Sequence, residues 1–245
     1  MFPLIYAGKN IWIIGASSGI GRALAIELAS QGATLALSAR SEDKLQVLNE
    51  ELGGVHTVLP LDVADDKAMV KAAQSLPHIN SAVFMAAIYA PAPLSQLDIE
   101  AARQMVNINL NGAFNTVHAV LPILRKQGYG QLSLCGSVAG YRGLPNGQPY
   151  SATKAAVINL AESLRAEERD LDIKVINPGF VRTPLTDKNN FKMPMIIEPE
   201  DAAKIIAKEL QSSRFEIHFP KRFTYVVKLL KILPSWLFFK CVSKS

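Results

Sequence analysis

Cysteine is scarce in this sequence, with only Cys135 and Cys241 among 245 residues. Two thiols build no disulfide framework, so a packed core must hold the fold. The four histidines are scattered without metal-ligand spacing, and no metal site is expected. The N-terminus has neither the basic region nor the long apolar stretch of a secretory signal; Met1 to Ala7 is apolar but short. A cytoplasmic, reducing setting is therefore expected, with peripheral contact at a membrane left open by the tail. Internal repeats, low-complexity stretches and interdomain linkers are missing as well. Acidic residues are absent from one region, 220–245, which carries six basic residues: Lys221, Arg222, Lys228, Lys231, Lys240 and Lys244. Taking those six from the formal charge of +5 leaves −1 for residues 1–219, so the basic character belongs to the tail.

Apolar residues make up 49% of the chain, enough for a large core in a single α/β domain. Strand-length apolar runs near 10–14, 33–39, 55–61, 81–87, 131–136, 173–177 and 215–219 alternate with helical patterns. The longest helix is expected at 98–126. This alternation predicts a doubly wound parallel sheet of Rossmann type with helices on both faces, spanning residues 1–219. Cys135, in the fifth strand, reads as core.

Two motifs carry chemistry. The run Asn10–Ile14 leads into Gly15-Ala-Ser17-Ser18-Gly19-Ile20-Gly21, and a helical pattern follows. Strand, glycine-rich turn and helix form a phosphate-binding context, because glycine permits close approach and the helix start offers free amides. The second motif is Tyr150-Ser-Ala-Thr-Lys154, with Ser137 thirteen residues upstream. Tyrosine and lysine four apart share one helix face. A cation beside a phenol lowers a pKa that is ordinarily ~10, which makes the tyrosine usable as an acid/base near neutral pH.

Taken together, these residues resemble the short-chain dehydrogenase/reductase family, over residues 9 to about 219. The family's glycine motif matches Gly15, Gly19 and Gly21, and its catalytic tetrad matches Asn109, Ser137, Tyr150 and Lys154. Its Pro-Gly motif matches Pro178 and Gly179, and the threonine that follows matches Thr183. The resemblance implies an NAD(P)-dependent oxidoreductase that interconverts a carbonyl and a secondary alcohol by hydride transfer. Tyr150 would exchange the proton, Ser137 would orient the reacting oxygen, and Lys154 would lower the Tyr150 pKa and hold the nicotinamide ribose. The asparagine matching Asn109 would help hold a water linking the lysine to solvent. Thr183 and the backbone at Val181 would hold the carboxamide, and Asp62-Val63 resembles the adenine-binding pair. The chain departs from the family at Ile14-Gly15, usually Thr-Gly, and at Phe84-Met85-Ala86-Ala87, usually Asn-Asn-Ala-Gly. Apolar packing is expected to replace polar contacts there, beside cofactor positions Ala86 and Ala87.

At the end of the second strand, Ala39 stands where an NAD-binding acid would stand, and Arg40 follows. A guanidinium suits a 2′-phosphate, so NADP(H) is the expected cofactor, with NAD(H) still open. Ser18 occupies the place where a second basic residue would strengthen that preference. The segment 184–198 holds Phe191, Met193, Met195 and Ile196, which suit either a hydrophobic substrate or ordinary packing.

In the tail, Lys221, Thr224, Lys228, Lys231 and Ser235 fall on one helical arc with apolar residues around the rest, and Pro234 should kink or split the helix. The segment could lie on an anionic membrane surface or pack on protein with its lysines solvated; its lysines and proline argue against a span, and nucleic acid binding is not expected. The family expectation is a homo-oligomer built through helices at 98–126 and 150–168. A catalytically silent nucleotide sensor or scaffold is the alternative function, and epimerisation or dehydration a third.

Overall fold

The computed structural model describes residues 5–90, 92–188 and 193–242. Seven parallel strands form one sheet: β1 (Asn10–Ile14), β2 (Thr34–Ser38), β3 (Thr57–Val58), β4 (Ser81–Phe84), β5 (Gln131–Cys135), β6 (Asp172–Pro178) and β7 (Glu216–Phe219), in the order β3-β2-β1-β4-β5-β6-β7. The helices between them are α1 (Gly19–Ser30), α2 (Glu42–Glu51), α3 (Asp66–Ser75), α4 (Ile99–Met105), α5 (Gly112–Gln127), α6 (Tyr150–Glu167) and α7 (Pro199–Leu210). Side chains alternate across each strand, so β1 sends Ile11 and Ile13 into one core and Trp12 and Ile14 into the other. The helix pairs α1–α7 and α3–α5 cover the two faces. This is the doubly wound α/β fold that the alternation predicts.

Three elements depart from the sequence reading. Strand β3 keeps only two of the residues expected at 55–61. Strand β4 ends at Phe84 because Met85 and Ala86 are pressed against Gly15, although Met85 N still donates to Ile14 O at 2.7 Å. The long helix at 98–126 contains a π-helical stretch, Val106–Asn111, between α4 and α5. Such a stretch turns its residues out of α-helical phase, and it carries Asn109.

The tail forms α8 (Lys221–Ile232) and α9 (Ser235–Val242). Pro234 splits them as expected, with Leu233 extended before it. Lys244 lies outside the described residues. Helix α8 packs on β7 with Thr224 and Lys228 turned inward, so the expectation of solvated lysines is corrected at Lys228, while Lys231 and Lys240 stay exposed. Thr224 is fully buried and shares a 2.6 Å hydrogen bond with His218 Nδ1. Lys228 pairs with Glu216, which also accepts from Tyr141 Oη and, at 2.8 Å, from Asn177 Nδ2. Arg142 caps the C-terminal end of α8, donating to the carbonyls of Leu230 (2.9 Å), Lys231 (3.1 Å) and Leu233 (2.6 Å) while its guanidinium stacks 3.8 Å over the Phe238 ring.

Burial pushes the His218 imidazole from 6.5 down to about 4, with Lys228 and Lys221 adding to the shift. A histidine depressed in the folded state binds its proton more readily in the unfolded chain. Its contribution is complete above pH 6.5 and is lost as pH falls toward 4. Burial would raise Glu216, but its bonds from Lys228, Tyr141 and Asn177 prevail and hold it below the ordinary carboxylate value, so its contribution is lost at still lower pH. The denaturant midpoint should therefore fall between pH 6.5 and 4, and His218→Gln should flatten that part of the curve. An unchanged slope in the variant would remove His218 from the acid response.

Candidate functional site

A cavity of about 510 Å³ opens at the carboxyl ends of the strands, where the chain order reverses between β1 and β4. Doubly wound sheets bind their ligands at this crevice. At its centre, β1 turns into α1 with no spare space. Gly15 has φ +103°, and a Cβ there would lie 2.5 Å from Ala86 N; a Cβ on Gly21 would lie 2.1 Å from Gly15 O. Ser18 precedes the helix, and its hydroxyl caps none of the helical amides. The N-terminal amides of α1 therefore face the cavity beside glycine backbone, a cradle that fits the diphosphate of a dinucleotide.

The family departures behave as their chemistry suggests. Ile14 and Phe84 are fully buried and paired in register, so apolar packing does hold the sheet centre. Ser38 anchors the turn instead, with its carbonyl accepting from Gly15 N at 2.7 Å and its hydroxyl from Trp12 Nε1 at 2.8 Å.

Every residue read from the sequence as cofactor-binding lines this one cavity: Gly15, Ser17 to Gly21, Arg40, Asp62, Val63, Ala86, Ala87, Tyr150, Lys154, Pro178, Gly179, Val181 and Thr183. Arg40 is exposed at the β2 end. Lys44, which the sequence reading passed over, lines the same wall from the first turn of α2. Asp62 also makes a local turn, its carboxylate accepting from Ala64 N at 2.9 Å.

At the inner end, Ser137, Tyr150 and Lys154 share the wall, and Asn109 lies behind it. Lys154 is fully buried and donates to Cys135 O at 2.7 Å, with Nζ 5.6 Å from the Tyr150 ring centroid. Burial lowers its ammonium from the ordinary value. Burial also drives the Tyr150 phenol well above 10, Cys135 adds to this, and a hydrogen bond with Ser137 opposes it. The expected lowering by Lys154 is thus outweighed, since a phenolate here would lose more hydration than the neighbouring groups restore. The Asn109 carboxamide accepts from Ile88 N (2.8 Å) and donates to Ile88 O (3.0 Å) and Thr153 Oγ1 (3.2 Å). That side chain ties the loop after β4 to α6, and no bond of it reaches Lys154.

Most of the remaining wall is apolar, including Tyr89, Leu144, Phe180, Leu185, Phe223 and Val227, with Ser41 and Thr186 the polar side chains among it. Tyr89 meets the Tyr150 ring edge-on at 4.8 Å. Phe223 and Val227 come from α8, a contribution that the sequence reading did not assign to the site. Conversely, Met193, Met195 and Ile196 do not line the cavity, and Phe191 lies outside the described residues.

Comparison with known proteins agrees with this geometry. The family model described as short chain dehydrogenase matches residues 9–194. An uncharacterized oxidoreductase of Myxococcus xanthus is 35% identical over 240 residues, covering 94% of each chain. A 2-dehydro-3-deoxy-L-rhamnonate dehydrogenase (NAD(+)) of a Sphingomonas species is 31% identical, covering 75% of this chain and 76% of its own. Among solved structures, an alcohol dehydrogenase from Thermococcus sibiricus complexed with 5-hydroxy-NADP superposes with a TM-score of 0.79 at 28% identity, covering 86% of this chain and 95% of that one.

The tight start of α1 yields a direct test. A methyl at position 21 overpacks against Gly15 O, a cost of ~1–3 kcal/mol. In a chain of this size Gly21→Ala should lower the melting temperature by about 2–10 °C. An unchanged melting curve would show that the turn has slack.

Proposed function

The chain belongs to the short-chain dehydrogenase family and is an oxidoreductase that works with a nicotinamide cofactor; from that premise we propose that it interconverts a carbonyl and a secondary alcohol on a hydrophobic substrate, with NADP(H) preferred. The observation that carries this reading is the convergence of Ser137, Tyr150 and Lys154 at the inner end of a cavity whose remaining wall is mostly apolar. When bound, the cofactor supplies or accepts the hydride. In the reductive direction, negative charge grows on the carbonyl oxygen. The Ser137 hydroxyl donates to that oxygen, and Tyr150 delivers the proton. The raised phenol keeps Tyr150 protonated at neutral pH, the form that reduction requires. Lys154 places positive charge behind the ring, and Asn109 holds α6 and the loop after β4 in register through Thr153 and Ile88. Asp62 and Val63 would contact the adenine, and Thr183 and Val181 the carboxamide.

Arg40 and Lys44 support the NADP(H) preference, since two cations on one wall suit a 2′-phosphate better than a bare ribose. The family's oligomer through the long helices is supported by Ile99, Val106 and Phe114, which stand exposed along that stretch.

Tyr150→Phe should abolish turnover of a carbonyl panel followed at 340 nm while leaving cofactor affinity nearly intact; near-normal turnover would sink the assignment. Because the phenol is raised, the wild-type oxidative rate should climb with pH through the alkaline range while reduction holds steady at neutral pH. An oxidative rate flat with pH would argue against Tyr150 as the base. Arg40→Ala and Lys44→Ala should each weaken NADPH binding about tenfold, or ~1.4 kcal/mol, with NADH unchanged. Equal losses for both cofactors would remove these residues from phosphate recognition.

A further inference from the structure

Helix α8 is amphipathic in the sense opposite to that of an ordinary surface helix. Two of its polar residues turn inward, Thr224 to His218 and Lys228 to Glu216. Apart from Phe223 and Val227, which face the cavity, most of its apolar residues turn outward. Tyr225, Val226, Leu229 and Ile232 on α8, and Trp236 and Phe239 on α9, are each 57 to 75% exposed. Isolated exposed apolar residues are normal, but six on two consecutive helices form a face that water leaves unsatisfied. Arg222, Lys231 and Lys240 are also exposed on these helices, and residues 220–242 contain no acidic side chain.

We propose that the α8–α9 face docks on the surface of an anionic lipid bilayer. An apolar face accompanied by arginine and lysine matches the chemistry of that surface, with the rings at the acyl boundary and the cations at the headgroups. Tyr225 and Trp236 are the residue types that favour such a boundary. Self-association fits less well. A two-fold contact brings the same patch against itself, and this one offers cations with no carboxylate in its own segment to meet them. Spanning is excluded by size, since no described helix is long and apolar enough to cross a membrane.

The docked helix is also the wall of the cavity. Phe223 and Val227 face the pocket from α8, while Leu229 and Ile232 stand on its outer side. A substrate dissolved in lipid would therefore be taken up one helix away from its solvent, a consequence that rests on the hydrophobic-substrate reading; the docking itself does not.

The full chain with NADPH would be floated with vesicles of phosphatidylcholine alone or mixed with phosphatidylglycerol, and its tryptophan emission recorded. Trp12 is 1% exposed and Trp236 is 71% exposed, so a vesicle-dependent shift reports the tail. Co-flotation with the anionic vesicles and a blue shift are expected, both weaker with neutral vesicles. Leu229→Glu with Ile232→Glu should abolish both while leaving the melting curve and NADPH binding unchanged. Three results would overturn the proposal: no wild-type flotation, equal flotation of the variant, or a wild-type dimer that the variant dissociates without either form binding vesicles. Equal capture by neutral vesicles would overturn the part assigned to the cations. None of these readouts depends on turnover, so a failure here is distinct from a failure of the catalytic reading.

Discussion

The contact on which the site depends is the close approach of Gly15, Gly21 and the Met85–Ala86 backbone. With a Cβ at position 21 only 2.1 Å from a carbonyl oxygen, helix α1 has one seat against the sheet. That seat points the helix's free amides into the crevice and forces β4 to end at Phe84. It also brings the loop after β4 across to the α6 side, where Asn109 fastens it through Ile88. The glycine cradle and the Ser137–Tyr150–Lys154 end of the cavity are thus set by one steric constraint at the sheet centre.

A second level of order is electrostatic. The Glu216 carboxylate gathers Tyr141 from the loop before α6, Asn177 from β6 and Lys228 from α8. Arg142, beside Tyr141, finishes the same junction by capping α8. Such charge-assisted bonds hold best when every partner is present, because a buried carboxylate without its donors is costly. The loop that precedes Tyr150 is therefore held by the tail at two successive residues, through the Glu216 junction and the α8 cap.

The sheet and the nucleotide half were largely legible in the sequence. Strand-length apolar runs, the glycine spacing and the Tyr150/Lys154 pair are local signals, and they land where they were read except at β3 and β4, which are shorter than their apolar runs. What stayed hidden was long-range. Glu216 looks like an ordinary strand-end carboxylate until residues 75 positions away are brought beside it. Lys174 reads as a polar residue in a strand, yet it is fully buried because Ser212 O and Arg214 O accept its protons. The π-helical stretch at Asn109 has no compositional mark. The amphipathic arc of the tail was visible, but its orientation was not, since a helical period says which residues share a face and not which face turns inward. The perturbation of Tyr150 was likewise misjudged from spacing alone, because proximity of a cation is readable in one dimension and loss of hydration is not.

The placement of Phe223 and Val227 bears on the order in which the enzyme is completed. A polypeptide leaves the ribosome N-terminus first, and a single domain folds as a unit once its parts have emerged. The glycine turn, the cradle and the tyrosine–lysine pair all precede residue 155, whereas one side of the apolar wall, Phe223 and Val227, is supplied from beyond residue 220. That side of the pocket is therefore synthesised after every residue of the nucleotide half. A chain interrupted after β7 would contain every residue read as cofactor-lining and still lack the side of the pocket formed by Phe223 and Val227.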